Sequence, residues 1–120
     1  ASRPDAALLC YPVISMRVHA IPVCRAALIG ETPPDGTVDS VSCERHVHPA
    51  MPPCFIWHTR DDQIVPVQHS VMFAGALCAQ GVPYELHVYQ SGRHGLGLQA
   101  PYGWAGESVR WLHAVLAPRA

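Results

Sequence analysis

Three side chains that could transfer protons follow two apolar segments of this chain. Adjacent carboxylates, Asp61 and Asp62, come just after the apolar run CFIWHT, and His94 lies among glycines in GRHGLG, after the run VPYELHVYQ. An imidazole can take a proton from a hydroxyl nucleophile near neutral pH, and a carboxylate beside it can hold the required tautomer. If both runs are parallel strands, their ends meet at one sheet edge, where such sheets carry reactive groups. The pattern therefore predicts an acid–histidine site at that edge.

Short apolar runs next to proline or glycine predict three strands, at residues 6–14, 52–59 and 82–90. The first run is continuous, as in a strand that is covered on both faces, and the second repeats the same theme. The third alternates enough to favour a place nearer to a sheet edge. We therefore expect a small parallel sheet that includes both chemically interesting strand ends.

Helical spacing of apolar residues follows the second and third strands. Residues 65–81 predict a helix of about four turns that stops at Gly81. Its apolar face would comprise Val67, Val71, Ala74 and Cys78. A closing amphipathic helix within residues 103–117 would bury the stripe Trp104, Ser108, Trp111, Leu112 and Val115. Together with shorter helices near residues 24–30 and 39–47, these elements predict an α/β fold in which three parallel strands alternate with helices.

Composition narrows the class of protein further. Hydrophobic residues make up 49% and charged residues 14% of the 120 residues, which favours one folded domain, or part of one, over a disordered segment. The net charge of −1 and scattered arginines offer no basic stripe for nucleic acid, and no apolar run is long enough to predict a membrane span. Five cysteines without C-x-x-C spacing favour a reducing compartment such as the cytoplasm.

Four stretches carry a family likeness that extends over nearly the whole chain. They are YPVIS (11–15), PPCFIWHTRDDQIVPVQHS (52–70), GVPYELHVY (81–89) and GRHGLGL (92–98). These stretches resemble α/β-hydrolases related to dienelactone hydrolases and prolyl oligopeptidase-type catalytic domains, and most closely bacterial carbohydrate acetyl esterases. The resemblance implies a serine-type hydrolase of small acyl esters, with an acetylated sugar as the expected substrate, and it implies no cofactor.

The same resemblance assigns roles to the two catalytic candidates. In the family, the triad acid begins an Asp-x-x-Val-Pro stretch, which Asp62 matches, whereas Asp61 is one residue early. Asp62 is therefore the implied triad acid, His94 is the implied base, and Asp61 is expected to be a solvated turn residue.

The nucleophile of such a triad has no counterpart here. The family's serine lies on a Gly-x-Ser-x-Gly turn before the acid, and that motif does not occur in the chain. The nearest match surrounds Ser108 within the predicted closing helix. We therefore expect residues 1–120 to be the C-terminal half of a hydrolase domain, with the serine and the oxyanion hole upstream of Ala1. The isolated chain should then lack esterase activity and could self-associate through the exposed edge of its first strand.

Other functions stay open at this stage. A peptidase or a dienelactone-type hydrolase could use the same scaffold, and a truncated, non-catalytic α/β module is the alternative from another class. Cys43, His46 and His48 are close together, but no further pair is spaced to complete a four-ligand zinc site, so no metal site is predicted. The histidines at 58, 69 and 87 receive no catalytic role.

Overall fold

A computed structural model describes residues 2–118 of the chain. Its strands are β1 (Ala7–Cys10), β2 (Cys54–Thr59) and β3 (Tyr84–Tyr89), which form one parallel sheet in the order β1-β2-β3. All three predicted strands are present and parallel, so the predicted α/β class is confirmed. The expectation that the first strand is covered on both faces is not met, because Leu8 is exposed and β1 pairs only with β2 among the described residues.

Among the described residues, four helices accompany the sheet, and two of them are long. They are α1 (Pro22–Ile29), α2 (Thr37–Ser40), α3 (Gln68–Ala79) and α4 (Trp104–Leu116). Short 3-10 helices occur at Cys43–Arg45 and Gly97–Gln99. Gly81 follows α3 with a φ of 70°, a left-handed conformation that glycine adopts without steric cost, and there the chain turns towards β3. None of these helices has the length and apolar character that a bilayer-spanning segment of residues 2–118 would require.

Two apolar clusters cover the two faces of the central strand. Alternate residues of β2 point to opposite sides, so Cys54 and Ile56 pack with α3, while Phe55 and Trp57 pack with Trp111 of α4. These four side chains of β2 are almost completely buried. Burial of one large apolar side chain contributes about 1.5–3 kcal/mol to stability. The central strand is therefore a rigid support for the residues that follow its end.

The buried face of α3 matches the predicted one only at Ala74. Val71 and Cys78 are exposed, and the face that packs on the sheet comprises His69, Ser70, Phe73, Ala74 and Leu77. Apolar residues occur on every side of this helix, and two polar residues on the buried side have hydrogen-bond partners elsewhere in the fold. In α4 the prediction was correct, because Ser108 and Trp111 are buried and the other residues of the stripe pack beside them.

Candidate active site

The ends of β2 and β3 lie side by side. Their parallel register pairs Thr59, the last residue of β2, with Tyr89, the last residue of β3. The turn that contains Asp61 and Asp62 and the loop that contains His94 therefore leave the sheet at the same edge. The sequence predicted this meeting point from the expectation that both runs are parallel strands of one sheet.

His94 and Asp62 form a close pair at this edge. The Nδ1 atom of His94 lies 2.7 Å from Oδ2 of Asp62. Because an ionised carboxylate can only accept, Nδ1 must carry the hydrogen, and Nε2 keeps its lone pair in the neutral ring. Within residues 2–118, no group forms a hydrogen bond with that Nε2. An imidazole held in this way can act as a general base through Nε2.

The carboxylate of Asp62 is almost fully buried, with its side chain 1% exposed, whereas the His94 side chain is 28% exposed. Its second oxygen, Oδ1, accepts hydrogen bonds from the backbone N–H groups of Ile64 and Val65, both at 2.9 Å. Burial by itself would raise the pKa of Asp62, but the hydrogen bonds from Val65, His94 and Ile64 outweigh it and lower the pKa below its ordinary value. Asp62 is therefore an anion at neutral pH, and such a carboxylate can stabilise a positively charged imidazole beside it.

A second histidine, His58, supports the Asp62 turn from inside the protein. Its Nε2 lies 2.8 Å from the carbonyl oxygen of Val65, which can only accept, so Nε2 carries the hydrogen. Its Nδ1 then accepts from the hydroxyl of Ser70 at 2.6 Å. Burial lowers the pKa of His58, which keeps the ring neutral, and Nε2 is also 3.3 Å from Oδ2 of Asp62. His58 therefore anchors the carbonyl of Val65, whose N–H donates to Asp62, and as a neutral ring it leaves the charge of the nearby carboxylate in place.

Tyr11 lies at the end of β1 and packs against the His94 ring. The two ring centroids are 4.7 Å apart with their planes at 65°, and Tyr11 also packs edgewise on Trp57. Tyr11 has a φ of 39°, which is uncommon for a residue with a side chain. This conformation brings a third strand end to the site, and the aromatic contact restricts rotation of the imidazole.

Two of these supporting residues were missed by the sequence analysis. His58 ends an apolar run, and a polar residue in a fully buried strand is a signal that it has a specific partner. Tyr11 is followed by Pro12 at the end of the first strand, but nothing in the sequence indicates its left-handed backbone. The contacts of both residues join segments that are far apart in the chain.

One other histidine and two serines have partners that explain them structurally. His69 accepts from the N–H groups of Ile14 and Ser15 and donates to the carbonyl of His19, so it anchors the loop after β1. Ser108 lies in α4 and donates to the carbonyl of Ala105. Ser15 accepts from two backbone N–H groups within its own loop.

One further group of possible metal ligands comes together within residues 2–118. Glu85, His87 and Glu107 each place one ligand atom within 4.8 Å of the others. However, the guanidinium of Arg110 already forms ion pairs with both carboxylates, which satisfies their charge. His46, which lies close to Cys43 and His48 in the sequence, donates through its Nε2 to the carbonyl of Asp39. Neither arrangement resembles a set of ligands left open for an ion.

Comparison with known proteins places the site in context. A sequence model of the prolyl oligopeptidase family matches residues 32–118. Endo-1,4-beta-xylanase B of Butyrivibrio fibrisolvens is 37% identical over 109 residues, which cover 88% of this chain and 17% of that protein.

Two solved structures share the fold over almost the whole chain. The acetyl ester-xyloside bifunctional hydrolase of Caldicellulosiruptor lactoaceticus aligns with a TM-score of 0.91 and 44% identity, over 94% of this chain and 43% of that one. A carboxylesterase of Lactobacillus plantarum aligns with a TM-score of 0.77 and 25% identity, over 99% of this chain and 48% of that one. The chain therefore spans less than half the length of each of these three relatives.

Proposed function

This chain belongs to the prolyl oligopeptidase family of α/β-hydrolases, and on that premise we propose that it contributes the acid and the base of a serine-type esterase. The hydrogen bond between His94 Nδ1 and Asp62 Oδ2 is the observation that carries this proposal. The serine and the oxyanion donors would come from another part of the full-length protein that contains this chain.

In the proposed reaction, Nε2 of His94 takes the proton of the serine hydroxyl while the serine oxygen bonds to the acyl carbon. The imidazolium that forms is stabilised by the buried carboxylate of Asp62. His94 then returns the proton to the leaving alcohol oxygen as the ester bond breaks. Water repeats the sequence on the acyl-enzyme and releases the acid, with His94 again accepting and returning one proton.

The proposed substrate is a small acyl ester, in particular an acetyl ester of a carbohydrate. Support comes from the names of the relatives, which include an acetyl ester-xyloside hydrolase, a carboxylesterase and a xylanase. A peptidase is the second candidate, because the matching family model is that of prolyl oligopeptidases. The residues described here serve either reaction, since both form an acyl-enzyme with the same acid and base.

The test compares His94→Ala with His87→Ala in the full-length protein. Turnover of p-nitrophenyl acetate and of an acetylated xylo-oligosaccharide is measured beside turnover of a prolyl peptide anilide. We expect the His94 variant to lose about 10³-fold or more in kcat, because its serine would have no base, and the His87 variant to keep most of its activity.

Each pattern of results has a distinct meaning. Ester turnover that survives in the His94 variant would remove the proposed role of that residue. Faster turnover of the peptide than of both esters would favour the peptidase. A wild-type full-length protein that turns over none of the three substrates would favour a non-catalytic module.

A further inference from the structure

Gly92, two residues before His94, forms hydrogen bonds through both its backbone N–H and its backbone carbonyl. Its N–H donates to Oδ1 of Asp61 at 2.8 Å, and its carbonyl accepts from the hydroxyl of Thr59 at 2.7 Å. The hydroxyl of Ser91 also donates to Oδ2 of Asp61, at 3.1 Å. Three hydrogen bonds therefore join the end of β2 and the turn that follows it to the loop after β3.

The backbone conformation of Gly92 and two nearby side chains favour glycine at this position. Gly92 has a φ of 153°, which residues with side chains rarely adopt. A Cβ at this position would lie 2.7 Å from Cδ1 of Leu96 and 3.0 Å from Cγ2 of Thr59. The absence of a side chain lets the peptide lie directly between Asp61 and Thr59.

We propose that Asp61 is a positioning residue for His94, so that the two adjacent carboxylates act on one loop: Asp62 on the imidazole and Asp61 on the backbone that carries it. This inference rests on the proposed function, because it assigns Asp61 to the same reaction. The sequence predicted Asp61 as a solvated turn residue. The structure keeps Asp61 in a turn but gives it partners 30 and 31 residues further along the chain.

The residues just before His94 have few other contacts. Ser91 and Arg93 are exposed, and the next anchor is the hydroxyl of Tyr102, which donates to the carbonyl of Ser91. The hydrogen bond from Gly92, with that from Ser91, lowers the pKa of Asp61 below its ordinary value, so the acceptor is an anion at neutral pH. A displacement of about 1 Å at a catalytic group can cost about a hundredfold in rate, so such an anchor has a kinetic consequence.

The test uses Asp61→Ala and Asp61→Asn in the full-length protein. Alanine removes the oxygen that accepts from the Gly92 N–H. Asparagine keeps an oxygen for that N–H, and its NH₂ group can donate to the hydroxyl of Ser91. We expect the alanine variant to lose about ten- to a hundredfold in kcat with little change in KM, and the asparagine variant to keep most of its kcat. Thr59→Val, which removes the hydrogen bond to the carbonyl of Gly92, should also lower kcat.

Asp39→Ala is the matched control, because Asp39 is another exposed carboxylate with a hydrogen-bonded partner, Arg17, outside the site. It should leave kcat unchanged. Hydrogen exchange of the Gly92 amide provides a readout that does not depend on activity, and it should be faster in Asp61→Ala than in Asp61→Asn.

The outcomes separate this inference from the proposed function. Wild-type kcat in Asp61→Ala, together with inactivation by His94→Ala, would overturn the role of Asp61 and leave the triad in place. Equal losses in the alanine and asparagine variants would also overturn it, because the effect would then follow from the charge of Asp61 and not from its hydrogen bonds. Full activity in His94→Ala would instead remove the proposed function.

Discussion

Two carboxylate–imidazole pairs with almost the same separation occur in this small fold. Asp62 and His94 are 2.7 Å apart beyond the strand ends, and Glu85 and His87 are 2.8 Å apart along β3. The Asp62 side chain is 1% exposed, whereas that of Glu85 is 29% exposed. The surroundings of the two pairs therefore differ far more than their distances do.

The difference lies in what else each carboxylate binds. Oδ1 of Asp62 accepts hydrogen bonds from two backbone N–H groups. Its Oδ2 accepts from His94 and lies 3.3 Å from Nε2 of His58. Glu85 shares its Oε2 atom between His87 and the guanidinium of Arg110, so its charge is already compensated by a permanent cation. A short carboxylate–imidazole contact is therefore weak evidence for catalysis, and burial, backbone donors and a place at the strand ends make the stronger case.

The largest expected effect is on kcat. It comes from changing each of the two carboxylates to its amide in a separate variant and comparing the losses. Asp62→Asn should lower kcat of the full-length protein by about 10³- to 10⁴-fold, because the amide favours the wrong tautomer of His94. Glu85→Gln should keep most of the activity. Steady-state kinetics with p-nitrophenyl acetate measures both, and comparable losses in the two variants would break the distinction drawn between the pairs.

A smaller effect is expected on stability, where the contrast is between the buried and the exposed histidine. His58→Leu removes the hydrogen-bond partner of the Ser70 hydroxyl and of the Val65 carbonyl. Both hydrogen bonds are buried in the folded protein. We expect a loss of about 2–4 kcal/mol in the free energy of unfolding, measured by urea denaturation. His87→Leu should cost less than about 1 kcal/mol. Equal costs would show that the network around His58 adds nothing to stability.

The smallest effect concerns the dependence of stability on pH. Because burial lowers the pKa of His58 in the folded protein, the unfolded chain binds a proton that the folded chain does not, once the pH falls below about 6.5. The contribution of His58 is therefore complete above that pH and declines as the pH falls, by at most about 1.4 kcal/mol per pH unit.

Urea midpoints at a series of pH values would measure this decline, with His58→Leu as the comparison. We expect the wild-type protein to lose more stability between about pH 7 and pH 5 than the leucine variant does. Parallel curves for the two proteins would contradict a neutral, buried His58.

Much of the architecture could be predicted from the sequence because its signals are local. Apolar runs predicted three strands, and the stripe on the closing helix was correct. The resemblance to α/β-hydrolases is confirmed by the family match. The Asp-x-x-Val-Pro spacing and the glycine-flanked histidine pointed to the two groups that the structure brings within 2.7 Å. Their role in catalysis stays a prediction.

The error in α3 has a clear physical cause. Helix α3 was assigned the wrong buried face because its buried side includes His69 and Ser70, whose polar atoms bind groups in β2 and in the loop after β1. Polarity in the sequence predicts exposure only when no partner is available inside the protein. Asp61 lies in a turn, as predicted, but its hydrogen bonds with Ser91 and Gly92 could not be predicted, since these partners lie about thirty residues further along the chain.

The sequence by itself determined the elements of this protein and the chemical types at their ends, because hydrophobic periodicity and turn propensity act over a few residues. Only the tertiary structure decided the tautomer of His58, the contact of Tyr11 with His94 and the grip of Asp61 on Gly92. These features depend on hydrogen-bond and packing partners from other strands. The geometry of such contacts exists only when the sheet has brought distant segments together.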